Sequence, residues 1–256
     1  MTLPLRSTLA LSLLMAACSK DPPAPSPPVT SAVVIPGASA ATPATAAAPK
    51  GVELKVGKGK STFLIDAPLE KIKGQAEDVK GAITLAPEDL GKTRGEVSFK
   101  LSTLKTTTFG DSGKDSSQTD HARNWMQVGA ESKAEDKARF EWATFTIKSV
   151  EVTPPKLADV KEEGGVRALK GKITGDFTLH GVTSKKTLAF TATVQGPADR
   201  PTGFSLKTEA PFEVSLKEHD IKPRDGIGSF LNGALEKIGK KIDDRVQVSL
   251  EVSSGS

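Results

Sequence analysis

Along most of the chain, apolar and polar residues alternate with a period of two. Val97, Phe99 and Leu101 are interleaved with Glu96, Ser98 and Lys100, which gives an extended segment one apolar face and one wet face. The alternation returns at Ile173, Phe177 and Leu179, at Leu188, Phe190, Ala192 and Val194, and at Phe204 and Leu206. It appears again at Phe212, Val214 and Leu216 and at Val246, Val248 and Leu250. Gly, Pro or Asp-Arg breaks separate these runs, the punctuation expected of strands joined by turns. Many strands with one polar face predict an all-β domain, a single antiparallel sheet curled into a sandwich or barrel. Two stretches depart from the rule. Thr119 to Val128 places Ala122, Trp125 and Met126 at helical spacing, and Gly228 to Ile242 does the same with Phe230, Leu231, Ala234, Leu235, Ile238 and Ile242. Both are expected to be short helices that cover an end or seam of the sheet.

The N-terminal part follows neither period. Arg6 precedes an apolar or small run from Leu9 to Ala17, too short to cross a bilayer as a helix and of the kind found in signal peptides. The run ends in Leu14-Met15-Ala16-Ala17-Cys18, which resembles the lipobox of bacterial lipoproteins with Met15 in place of the more usual leucine. The expectation is a cleaved signal over residues 1–17, lipid on Cys18 and membrane attachment through that lipid; the alternative is an ordinary secretory signal with an incidental cysteine. No Asp follows Cys18, where enterobacterial lipoproteins carry an inner-membrane retention signal, so the periplasmic face of the outer membrane is the expected site. Cys18 is the only cysteine, which excludes a disulfide framework and leaves the fold to its hydrophobic core. From Ser19 to Pro49 the chain is Ala-, Pro-, Ser-, Thr- and Val-rich, with Lys20 and Asp21 its only charges. Such composition cannot offset the entropy of ordering, so residues 18–49 read as the lipidated cysteine and a tether, and residues 50–256 as one domain.

With 35 Lys and Arg against 31 Asp and Glu, the chain is only mildly basic, and nothing in its charge calls for nucleic acid. Catalytic motifs do not hold up either. Gly110-Asp111-Ser112-Gly113 resembles the nucleophile segment of chymotrypsin-like proteases, whose general-base histidine lies upstream, but His121, His180 and His219 all lie downstream. Gly59-Lys60-Ser61 matches the tail of a P-loop, but Leu54 stands where the opening glycine belongs. The three histidines form no two-ligand helical or strand pair, and the acidic residues are scattered. The reading is a protein without enzymatic activity, cofactor or metal.

A resemblance adds what composition cannot. Gly74, Gly81-Ala82-Ile83, Asp89-Leu90, the run Gly95 to Leu101 and Ser102-Thr103-Leu104-Lys105-Thr106 resemble the opening of the YceI-like family, lipocalin-like periplasmic proteins associated with polyisoprenoid binding. Asp120-His121-Ala122-Arg123 with Trp125-Met126 is similar to the family's Asp-x-His-Leu-Arg helix and aromatic pair, and Ala143-Thr144-Phe145 to its next strand. The most specific match is Gly175-Asp176-Phe177-Thr178-Leu179-His180-Gly181-Val182-Thr183-Ser184-Lys185, a strand, tight turn and strand. Departures fall at Ala122 for leucine, at Trp125-Met126 for two phenylalanines, at Leu216 and Asp220 for the usual Arg and Gly, and at a long Asp225 to Ile242 segment.

The resemblance implies an extended, antiparallel, eight-stranded lipocalin-like barrel with one or two short covering helices and a bore able to hold a linear isoprenoid. A barrel of about eight strands either fills its interior with side chains or leaves room for one elongated ligand, and alternation does not say which. Phe99, Phe177, Phe190 and Phe212 are thus core residues or bore-lining residues, with Trp125 beside them on the covering helix. His121 and Arg123 fall on that helix, as headgroup contacts or as a cap and a surface ion pair. Two functions remain, a carrier of a long-chain lipid or isoprenoid and an envelope interaction module with a filled barrel. The oligomeric state is open, a homodimer being one option.

Overall fold

The computed structural model describes residues 51–66, 71–222 and 244–255. The signal segment, Cys18, the tether and the expected helix from Gly228 to Ile242 lie outside the described residues. Every segment singled out for alternation is extended, except that its last residue falls in a turn at Leu101 and at Leu216. In chain order the strands are β1 (Val52–Asp66), β2 (Lys71–Ala76), β3 (Val79–Leu85), β4 (Arg94–Lys100), β5 (Lys105–Thr106), β6 (Trp142–Val152), β7 (Glu162–Glu163), β8 (Val166–Leu179), β9 (Val182–Gln195), β10 (Gly203–Thr208), β11 (Phe212–Ser215) and β12 (Arg245–Ser254). The helices are α1 (Ser112–Trp125) and α2 (Ala134–Phe140).

Neighbouring strands pair in the order β12, β10, β9, β8, β6, β4, β3, β1, and β1 pairs back onto β12. Eight antiparallel strands therefore close into a ring, the expected barrel, with no free edge around its circumference. β12 is shared: β1 lies along one side, and β10 and β11 take turns along the other. Alternation sets which side chains enter the ring. On β8, Ile173, Phe177 and Leu179 are buried while Lys170 and Lys172 are exposed, and on β9 Leu188, Phe190 and Val194 are buried. Where a large ring needs space, a glycine faces it. A Cβ on Gly175 would lie 2.4 Å from the Thr146 carbonyl oxygen and 2.7 Å from the Phe145 ring, so only glycine lets Phe145 cross the bore there.

Three details differ from the sequence reading. The run through Leu101 ends one residue early: Leu101 leaves β4 for a 3₁₀ turn, donating its N–H to the Glu141 carbonyl at 2.7 Å, and is still buried. The helix expected from Thr119 starts at Ser112, because Asp111 caps it by accepting the Lys114 N–H at 2.9 Å. Its first turns are polar on all sides, so hydrophobic periodicity was blind to them. α2 was not anticipated at all, since it buries only Phe140.

Candidate functional site

α1 lies across one end of the barrel. Thr119 Oγ1 accepts the Thr106 N–H at 2.9 Å, and Arg123 Nε donates to the Leu104 carbonyl at 2.9 Å, which ties the helix to the β5 segment along two of its turns. The side facing the bore carries Gln118, Ala122, Trp125 and Met126. Beneath it is a cavity of about 80 Å³, walled by strand residues that include Phe99, Phe177, Leu179, Val214 and Val246. Ser61 and Gln118 are the polar residues of this lining; all the others are apolar.

Two smaller cavities continue down the bore. One of about 30 Å³ is lined by Val97, Phe145 and Phe190, and one of about 50 Å³ at the far end by Leu54, Leu169, Phe190 and Ala192. Phe190 lines both rear spaces, as do Ile83, Ile147, Ile173 and Leu206. The interior is thus neither an open tube nor a solid core, but a set of small, largely apolar cavities.

Of the residues singled out in the sequence, the structure brings Phe99, Phe177 and Trp125 together around the front chamber. Phe212 is buried but lines none of these three cavities; its ring stands edge-on to Phe177, at 5.6 Å and 78°. His121 and Arg123 are half-buried on α1, outside the chamber lining, and the Arg123 Nε is committed to Leu104.

Behind the chamber wall is a polar cluster that sequence reasoning did not assemble. His219 is fully buried; its Nδ1–H donates to the Leu179 carbonyl at 3.0 Å, and its Nε2 lies 3.3 Å from the Ser184 hydroxyl. His180 donates from Nδ1 to the His219 carbonyl at 3.1 Å and meets the Gln127 side-chain amide with Nε2 at 3.0 Å. Its ring stacks on Phe140 of α2 at 3.8 Å. Burial pushes the His180 imidazole below its usual range and the nearby Arg139 charge adds to this, while the His219 carbonyl and the Asp220 and Asp136 charges oppose it. One pair of rings thereby ties the β8–β9 turn to the end of α1, to α2 and to the segment after β11. The turn holds His180 and Gly181 at φ of 50° and 77°, a left-handed pair that glycine makes easy at the second position.

A family model for the YceI-like domain matches residues 54–254. The chain belongs to the YceI-like family. Solved structures similar to it include the polyisoprenoid binding domain from Saccharophagus degradans implicated in plant cell wall breakdown, at 14% identity, covering 81% of this chain and 99% of that one with a TM-score of 0.51. Burkholderia cenocepacia BcnA is similar at 14% identity over 77% and 96% of the two chains, with a TM-score of 0.41. The Campylobacter jejuni YCEI protein is similar at 16% identity over 72% and 84%, with a TM-score of 0.39. At such identities the likeness concerns the fold alone, and no curated protein matches the chain. The Gly175 to Lys185 motif of this YceI-like domain is the β8–β9 hairpin, and its histidine turns out to be the hinge of the buried cluster.

Proposed function

We propose that this YceI-like protein holds a long apolar chain, a polyisoprenoid or comparable lipid, in its barrel at the periplasmic face of the cell envelope, anchored through lipid on Cys18. The observation that carries the reading is the front chamber and its continuation: apolar cavities in a row, enclosed sideways by hydrogen-bonded strands and covered at one end by α1. A row suits a linear ligand. A similar solved structure being a polyisoprenoid binding domain supports this choice of chain. Each buried CH₂ contributes about 0.8 kcal/mol, so affinity grows with every carbon the row of cavities takes in, without any headgroup. A longer chain requires the side chains between the cavities to turn aside. His121 and Arg123 are the α1 groups available to a phosphate at this end, through the guanidinium nitrogens that Leu104 does not use.

Native mass spectrometry of the gently purified protein tests the proposal, with a retained long-chain lipid as the expected result. His121→Ala together with Arg123→Ala should weaken a phosphorylated isoprenoid much more than the corresponding alcohol. The small volumes of the rear cavities, about 50 and 30 Å³, favour a second reading, a filled barrel that acts as an envelope interaction module. Repeated recovery of lipid-free protein that takes up no added isoprenoid selects that reading.

A further inference from the structure

Every strand of the ring has a neighbour on both sides, but β9 has two along only half its length. From Phe190 to Gln195 it pairs with β8 on one side and β10 on the other; from Val182 to Leu188 it pairs with β8 alone among the described residues. The last backbone bond across the other side runs from the Glu209 N–H to the Ala189 carbonyl, at 2.9 Å. Beyond that point β11 takes the place of β10 beside β12, and among the described residues no ladder joins it to β9.

This seam falls at the front chamber. The chamber wall passes from Phe177 and Leu179 of β8 to Val214 of β11 and Leu216, with no residue of β9 between them. At the same level β6 is joined to β8, and β11 to β12, by continuous ladders that part only if rows of backbone bonds break together. The seam is filled instead by the turn from Leu216 to Ile221. That turn is braced from within, the Ile221 N–H donating to the Leu216 carbonyl at 2.8 Å, and Leu216, His219 and Ile221 are at most 2% exposed. Its hold on β8 and β9 consists of single side-chain bonds: His219 Nδ1 to the Leu179 carbonyl, His219 Nε2 to the Ser184 hydroxyl, and His180 Nδ1 to the His219 carbonyl. Edge-on packing of Phe177 against His219, at 6.0 Å and 76°, completes the closure.

A permanent wall would be better filled by an apolar side chain, because a fully buried imidazole is tolerated only while its nitrogens are bonded. An imidazole that is bonded when the seam is shut and hydrated when it parts meets no such conflict. The other way into the chamber is to lift α1, a helix of 14 residues tied to the β5 segment by Thr119 and Arg123 and burying Ala122 and Trp125 over the cavity. The turn is shorter and can swing out without breaking a ladder.

We infer that the seam between β9 and β11 is a sideways mouth of the front chamber, with the His219 turn as its closure. That a lipid passes there rests on the carrier reading; that the wall parts there does not.

Amide hydrogen exchange of the lipid-free full chain reads the parting directly. The Leu216, His219 and Ile221 amides are hydrogen-bonded and buried, so they exchange only when the turn leaves the seam. They should exchange about tenfold or more faster than the Ala122 and Trp125 amides of α1. Ser184→Ala, which removes one of the three bonds, should speed them about fivefold further and leave α1 unchanged. Exchange in step with α1 or with the barrel strands, or no response to Ser184→Ala, overturns the inference. Uptake is followed by time-resolved native mass spectrometry with geranylgeraniol, using the full chain with Cys18→Ala, Thr106→Cys and Thr119→Cys. The two threonine hydroxyls lie 3.0 Å apart, so a disulfide in their place fixes α1 to β5. Unchanged exchange over β8 shows that the barrel of this variant is intact. Its oxidised and reduced forms should take up the alcohol equally fast. Uptake lost on oxidation and regained on reduction makes α1 the entrance and overturns the inference. A seam that parts in a chain taking up no geranylgeraniol, wild type included, supports the mouth and removes the carrier reading.

Discussion

Phe190→Ala distinguishes a bore that can open from a core that is merely loosely filled. Phe190 is 3% exposed and lies on the walls of both rear cavities, of about 30 and 50 Å³, so removing its ring should enlarge both and is expected to join them. Truncating a buried Phe costs about 3–5 kcal/mol, and the value rises with how little the site can collapse. Here β9 is held between β8 and β10 by continuous ladders, and across from Phe190 stands Gly171, which has no side chain to move into the gap. The loss should therefore fall in the upper half of that range, read as a lower midpoint in urea with an unchanged slope. A ligand present at a hundred times its dissociation constant returns about 2.7 kcal/mol. If the bore admits a chain, a long isoprenoid alcohol should restore more stability to Phe190→Ala than to the wild type, because the joined space lets the chain reach farther. A loss below about 1 kcal/mol refutes the placement of the ring. A full loss that no isoprenoid alcohol reverses refutes the opening of the bore.

Ala192 lines the far cavity, so Ala192→Trp should fill it and cut the longest chain that native mass spectrometry finds bound, while a short chain confined to the front chamber remains. Cys18→Ala should abolish incorporation of a fatty-acid analogue in metabolic labelling; equal labelling of mutant and wild type would place the lipid elsewhere. Because burial holds the His180 imidazole below its usual range, the unfolded chain takes up a proton that the folded one refuses as pH falls below about 6.5. His180 thus makes no demand on stability above that pH and lowers it progressively below. His180→Asn, which keeps a residue tolerant of positive φ, should flatten this acid-side decline relative to wild type in pH-dependent urea melts.

The strands were legible because a closed barrel asks one thing of each of them, apolar in and polar out, and residues such as Phe177 and Phe190 satisfy it within a few neighbours. Ring closure itself is not a local property: nothing in Phe63 or Val248 announces that they face each other across the seam. The site was half-legible for the same reason. Phe99, Phe177 and Trp125 could be selected as inward aromatics, but whether an inward ring borders a cavity or, like Phe212, packs behind another ring depends on neighbours from distant strands. Gln118 was missed because a glutamine on a polar helix start carries no signal until Thr108 and the chamber are seen on either side of it. The His180–His219 cluster was missed because its members are separated in sequence and joined mainly through backbone carbonyls, which have no sequence identity. The single His180-Gly181 pair at the turn was the available hint.

The shared position of β12 has a consequence for the order of assembly. With β1 on one flank and β10 and β11 on the other, this strand is the keystone of the ring and follows all the other described strands in chain order. Until Ser254 is available, β1 and β10 present bare edges, the arrangement most prone to pairing with other chains. Closure then requires a contact between strands near the opposite ends of the domain, which makes it slow. Under the proposed envelope location the chain would cross a membrane unfolded, and a ring that closes only through β12 would keep it from locking early.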